Sequence, residues 1–243
     1  MGLYLGAWIL ALLTMPVILL AKRRFEECLP VVAIAAMEFL FLGGVFGALR
    51  LSVYALAGLA LLFCIFAVCR LCRAESERAV FFENFLTPGF FLFLVFVVIM
   101  PILCSKLQLY SWDEFSHWGL AAKDMFFSNA MPYRPGSHVT MRSIPPFVTL
   151  FQYFFLRLGG SYAEPVIYAA QNLLCVILLL PMARRIERRN WYGIVPLALL
   201  IPCLPLVFFQ TIGSVPMWIR CSALCWPTVS AAILRTSRRG FLR

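Results

Sequence analysis

The sequence predicts an all-α, multi-pass transmembrane protein with about six spans and one further interfacial or re-entrant helix. Three observations lead there. The 243-residue chain is 63% hydrophobic and only 13% charged, with a mean hydropathy of +0.89, far more apolar than a domain whose surface must face water. Its apolar residues fall into six runs of membrane length, at about 3–21, 28–48, 51–69, 86–104, 163–182 and 191–210. Its basic residues stand in short clusters between those runs.

The first run lacks a basic leader and a small-residue cleavage site, so it reads as a span rather than a signal peptide. Lys22-Arg23-Arg24 follows it, Arg50 stands alone after the second, and Arg70, Arg73 and Arg78 follow the third. Arg184-Arg185 and Arg188-Arg189 follow the fifth. Dense clusters at alternate connections are what the positive-inside rule expects of cytoplasmic loops. The N-terminus and the long 105–162 loop are then expected outside. Four domains of organisation follow: spans over 1–104, an outer loop over 105–162, two further spans over 163–210, and a basic tail over 211–243.

The net charge of +10 does not point to nucleic acid, because no continuous basic face forms. Most of the nine cysteines, Cys28, Cys64, Cys104, Cys175 and Cys203 among them, lie in apolar runs and act as small hydrophobes. Cys69 and Cys72 have redox or metal spacing, but without a second pair they read as the end of a hydrophobic run.

Within the spans, Glu38 is an intramembrane carboxylate, either functional or a neutral acid hydrogen-bonded between helices. Gln171 and Asn172 are expected to hydrogen-bond between helices. Pro101, Pro181, Pro202 and Pro205 lie where they stop or kink helices.

The outer loop is where ionisable groups gather. Trp112-Asp113-Glu114-Phe115-Ser116-His117-Trp118 leaves the fourth span and runs toward Lys123-Asp124. Ser111 or Asp113 is suited to cap a short helix at the membrane surface. With 3.6 residues per turn, Asp113, Ser116, His117 and Asp124 share one face and Glu114 points about 100° away. Trp112, Phe115 and Trp118 are expected at headgroup level. An Asp beside a second acid and a His suits acceptance of a proton from a hydroxyl nucleophile. Lys123, Arg134, His138 and Arg142 are candidates for an anionic leaving group. The plain alternative is a set of solvated loop residues with Asp113 as a cap. Beyond them, 143–155 opens with Pro145-Pro146 and is too short for a comfortable span, so an interfacial or re-entrant helix is expected there.

An apolar span, then Trp112-Asp113-Glu114-Phe115-Ser116-His117-Trp118, then Lys123-Asp124, then Pro145-Pro146-Phe147 ahead of Phe151-Gln152-Tyr153-Phe154, resembles the bacterial GT-C glycosyltransferases. These are multi-pass relatives of the protein mannosyltransferases. The resemblance covers roughly 86–213 and is most specific at the Asp-Glu pair. It implies a partial GT-C-like membrane domain in a bacterial cell membrane, a polyprenyl-phosphate sugar donor and a hydroxyl acceptor at the outer face. It implies Asp113 as general base, with Glu114 orienting it or helping to hold a divalent metal. His117, Lys123, Arg134 and Arg142 become candidates for the lipid phosphate. Two other functions stay open: transport or flipping of a lipid-linked or anionic solute, for which Glu38 speaks, and a non-catalytic assembly role. Membrane lipids are expected partners in every case, and nucleic acid in none.

After Thr211 the character changes, and residues 211–243 hold five arginines and no acid. Met217 and Trp218 have single codons, so reading from the third base forces Val-Asp across Met217-Trp218-Ile219. Neighbouring codons allow Gly-Ala-Tyr-Val-Asp-Pro-Leu-Leu-Gly, which looks like the continuation of such a transferase. A frameshift is therefore expected here, with the chain an N-terminal part of a longer enzyme. Codons at 214–222 that forbid this reading defeat the expectation.

Overall fold

The computed structural model describes residues 1–109, 112, 114–140, 145–186 and 188–200, with the backbone alone at 116, 117, 188 and 189. Every regular element among them is helical. The tail at 211–243 and the second half of the run at 191–210 lie outside the described residues.

α1 (Gly2–Ala21) carries no charge and ends where Lys22 turns left-handed, its N–H bonded to the Ile18 carbonyl at 2.9 Å. α2 (Phe25–Val45) and α3 (Leu49–Arg73) are joined through Gly47, whose φ of +71° is open to glycine at little cost. α4 (Glu75–Phe85) is an element that the search for apolar runs did not find, because charges at Glu75, Glu77, Arg78 and Glu83 interrupt it. α5 (Pro88–Cys104) starts with Pro88 in its first turn and Thr87 as its cap, the Thr87 hydroxyl accepting from the Phe90 N–H at 3.2 Å. α4 and α5 meet at an angle of 53°. A π-helical turn (Glu114–Trp118) runs into α6 (Gly119–Ser128), followed by α7 (Phe147–Gly159) and α8 (Glu164–Leu179). A 3₁₀ turn (Leu180–Arg185) extends α8, and a second one (Arg188–Gly193) precedes a short helix that completes Asn190–Leu200.

The protein is a multi-pass helical membrane protein. Four helices are long and apolar enough to cross a membrane, Gly2–Ala21, Phe25–Val45, Leu49–Arg73 and Glu164–Arg185, or five if the bent α4–α5 pair is one span. Its surface is apolar in keeping with lipid contact: Leu51, Leu61, Leu62, Ile102 and Leu103 are all exposed.

α7 has 13 residues, about 20 Å of helix, too short to cross a hydrocarbon core of about 30 Å. It is nonetheless buried from Thr149 to Leu156 and packs on α1 and α8. Its C-terminal end meets the start of α1, where a Cβ on Gly2 would overlap the Gly159 backbone and one on Gly6 would strike the Phe155 ring. About 10 Å before that end, Gln152 donates to Gln171 at 3.5 Å, itself about 10 Å into α8. Of the two expectations for this segment, the geometry is that of a helix inserted into the bundle. Gln171 and Asn172 bond as their sequence position suggests, Asn172 also approaching the Cys104 sulfur of α5 at 3.8 Å.

The two ends of the bundle differ in charge. At one, the Arg24 guanidinium donates to the carbonyls of Arg184 and of Ile186, the latter at 3.0 Å, while Arg184 pairs with Glu27 at 3.0 Å. Arg70 pairs with Glu77 at the same end, at 2.8 Å. At the opposite end, Gly44 lies against Met131 and Gly2 against Gly159, so described parts of the 105–162 segment lie there. Cys28, Cys104 and Cys175 are buried, Cys64 is half-buried, and Cys69 and Cys72 are exposed thiols.

Candidate functional site

The acidic loop leaves α5 at Cys104 and is tied down at once. Glu164, the first residue of α8, accepts the Leu109 N–H at 2.9 Å. One turn further along α8, the Tyr168 hydroxyl lies 3.1 Å from the Gln108 carbonyl and within hydrogen-bonding reach of the Glu114 carboxylate. Glu164 and Tyr168 thus fasten both sides of the loop to a membrane-spanning helix. Glu114 is 4% exposed, which makes it a supporting group inside the fold rather than a solvated one.

Between these anchors lies an open cleft of about 510 Å³, walled by Lys106, Gln108, Phe115, Tyr162, Glu164 and Pro165. Phe115, next to Glu114, contributes one wall. Tyr162 contributes another, with the Lys123 ammonium 5.7 Å above its ring. The Tyr162 hydroxyl is buried without a hydrogen-bond partner among the described residues. Burial, with Glu164 adding to it, pushes its pKa up to about 12. A second cleft, at the α4–α5 elbow, is lined by Leu86, Pro88, Phe91, Trp191 and Ile194, none of them ionisable.

The expected residues fall into three groups. Glu114 and Lys123 stand at the cleft or directly behind it. Arg134 is engaged within the loop, its two terminal nitrogens donating to the Asp124 carboxylate at 2.6 and 2.9 Å. The Ser137 hydroxyl adds a third donor to Asp124 at 3.1 Å, and the pairing raises the pKa of Arg134 above its ordinary value. His138 is exposed. Asp113, Arg142, Ser111 and the side chains of Ser116 and His117 lie outside the described residues.

Two expectations about the loop are corrected. The shared face of Asp113, Ser116, His117 and Asp124 assumed an α-helix throughout, but Glu114–Trp118 is a π-turn with a longer repeat. Asp124 instead faces the following loop and its partner Arg134. Trp112 and Phe115 are exposed, as expected of headgroup-level rings, but Trp118 is only 7% exposed and packs inward.

Glu164, Tyr168 and Tyr162 were not singled out from the sequence. Glu164-Pro165 carries a helix-start signal, but nothing local says that its carboxylate closes a loop 55 residues earlier. Arg157 was missed as well. It donates to the Phe126 carbonyl at 2.6 Å and to Asn129, and its guanidinium lies 4.6 Å from the Phe126 ring centroid. Among the described residues no three His, Cys, Asp or Glu side chains converge as a metal site. No known protein family, curated protein or solved structure matches this chain.

Proposed function

We propose that the chain is a membrane glycosyltransferase, or part of one, that moves a sugar from a polyprenyl-phosphate donor to a hydroxyl acceptor at the outer face of a bacterial cell membrane. The observation that supports the proposal is the placement of Glu114, the second acid of the pair. Glu114 is buried and fastened to Tyr168 of α8, while Phe115, next in the chain, walls a cleft that holds Lys106, Glu164 and Tyr162. Asp113 directly precedes this buried anchor. A carboxylate next in sequence to a rigidly held support suits general base catalysis.

In this reading the acceptor hydroxyl oxygen attacks the anomeric carbon and its proton passes to the Asp113 carboxylate. The bond from the anomeric carbon to the donor phosphate oxygen breaks, and the polyprenyl phosphate leaves with that electron pair. Inversion at the anomeric carbon follows from the single displacement. Lys106 at the cleft wall and Lys123 beside Tyr162 are placed to face the phosphate, with His117 and Arg142 as further candidates from the sequence. Arg134 acts by holding Asp124 and the loop around it. The basic end of the bundle is then cytoplasmic and the cleft outside, by the positive-inside rule.

The transporter or flippase reading drew on Glu38. That side chain is on the outer surface of α2, where it lines no path through the described bundle. The test is sugar transfer from a polyprenyl-phosphate donor by the membrane-reconstituted chain. Asp113→Asn should abolish transfer without altering folding, and Glu38→Gln should leave it intact. A silent Asp113→Asn with a fatal Glu38→Gln would sink the transferase reading. Activity lost in neither variant, because none is present, favours the assembly role.

A further inference from the structure

Among the described residues of the four long spans, every carboxylate but Glu38 has a partner. Glu26 contacts Arg24 and Thr87, Gln152 meets Gln171, and Asn172 meets Cys104 and the Tyr168 carbonyl. Glu38 has no hydrogen bond or ion pair among the described residues, and it is exposed on the surface of the bundle. It stands about 20 Å along α2 from Phe25 and about 10 Å short of Val45. That depth puts the carboxyl group in hydrocarbon, where neither water nor a headgroup is within easy reach of a Glu side chain. A carboxyl group left there without a partner is costly, and polar groups in membranes face protein or water instead.

The exposed residues of α2 around it have a regular spacing. Val31, Ala35, Glu38, Leu42 and Val45 are all exposed, at successive intervals of four, three, four and three. They line one face of the helix, with the spacing that a seam between two helices crossing at a shallow left-handed angle also uses. The opposite side of α2, with Leu29, Ala33, Met37 and Leu40, is buried against the rest of the chain. α2 therefore has one face used within the fold and a second, ordered face that is not.

We infer that this second face is a homodimer interface, in which α2 packs parallel to α2 of a second copy with Glu38 opposite Glu38 on the two-fold axis. The self-pairing follows from the chemistry of the central residue. A neutral carboxylic acid both donates and accepts, so two of them satisfy each other across the axis and require no other side chain. A two-fold axis along the membrane normal also keeps Lys22–Arg24 of both copies on the same side, as the positive-inside rule demands. Ala35, one turn away, allows close approach of the backbones. A single polar residue in an otherwise apolar seam fixes register and partner number, which is the best-attested use of such a group. The inference does not depend on the transferase reading.

The experiment is subunit counting by single-molecule photobleaching of the full chain in liposomes, across a range of protein-to-lipid ratios. The wild-type chain should dimerise. Glu38→Leu should weaken the dimer by about tenfold, the scale of an interhelical hydrogen bond in a membrane, while Glu38→Gln, which still donates and accepts, should stay close to wild type. Ala35→Phe should weaken it by obstructing the approach, and Leu62→Ala, exposed on α3, should have no effect. Glu38→Leu places an apolar side chain on an exposed apolar surface, so the monomer's own fold is not at risk. A wild-type chain that is monomeric at every ratio overturns the inference. So does a dimer indifferent to Glu38→Leu and Ala35→Phe, or a wild-type complex whose second subunit is a different protein.

Discussion

Asp124 and Arg134 form a two-pronged ion pair across the turn that follows α6, with nitrogen–oxygen distances of 2.6 and 2.9 Å. The planar guanidinium matches the carboxylate, and the pair is partly buried, so it exceeds an ordinary surface bridge. Ser137 completes the cage around Asp124.

Removing either partner should therefore loosen the 129–140 segment. We expect Asp124→Asn and Arg134→Ala each to cost about 1 kcal/mol and the double variant to cost little more than either alone. Thermal unfolding in detergent and the rate of proteolysis within 129–140 are the measurements. If Arg134→Ala leaves both unchanged but weakens binding of the lipid donor, Arg134 contacts the phosphate and its pairing with Asp124 is secondary.

The two neighbouring acids should respond differently. Glu114 is buried behind the cleft and near the Tyr168 hydroxyl, so Glu114→Ala should remove about 2 kcal/mol of stability by leaving a buried polar site without its partner. Glu114→Gln should recover most of that loss, and Tyr168→Phe should cost less, about 1 kcal/mol. Under the transferase reading, Asp113→Asn should lower turnover with no change in melting temperature. A pattern in which Asp113→Asn melts early and Glu114→Ala does not would exchange the two roles.

Much of the membrane architecture was legible because one physical term dominates it. Uninterrupted apolar length decided α1, α2, α3, α5 and α8, and the alternation of basic clusters anticipated that Lys22–Arg24 and Arg184 would share one end. Features set by tertiary contact were not legible. Thr87 caps α5 while also donating to Glu26, 61 residues earlier, and no local pattern links those positions. Glu26 looks like part of a charged helix start, yet it is fully buried beside Arg24 at 2.8 Å. Within the loop, periodic reasoning failed at Glu114–Trp118 because a π-turn has no signature in residue spacing. The pairing of Arg134 with Asp124 was not legible either, because the helical period puts Asp124 on a face pointing elsewhere.

The cleft tyrosine gives a pH dependence with a defined sign. Burial raises the pKa of Tyr162 to about 12 and does the same for Tyr133, above the ordinary value near 10 for an exposed tyrosine. The neutral phenol is thus favoured in the folded state. Its contribution is fully present below about pH 10 and is lost as pH rises toward about 12, where unfolded chains ionise first. Absorbance titration at the tyrosinate band should show a late phase near pH 12 accompanied by opening of the outer loop. Tyr162→Phe should reduce the amplitude of that phase and make the loop more resistant to alkali. A single titration near pH 10 with no late component would contradict the burial of these rings.

The charge asymmetry between the two ends of the bundle fixes an orientation that labelling can read. Arg24, Arg70 and Arg184 gather at one end, and the exposed Cys72 lies beside them in the last turn of α3. His138 is exposed in the loop at the other end. Positive residues are retained on the cytoplasmic side during insertion, so a membrane-impermeant maleimide applied to intact cells should modify His138→Cys and spare Cys72. Permeabilised cells should show modification at both, with the sites resolved by peptide mass. With the α4–α5 pair as the single crossing between these residues, the two positions report opposite sides whichever way the chain is inserted. Cys72 labelled from outside, with His138→Cys protected, would invert the protein and carry the candidate cleft to the cytoplasmic face. Labelling of both from outside would remove a span between them, and the α4–α5 pair, with its 53° bend, would then be a re-entrant hairpin rather than a crossing.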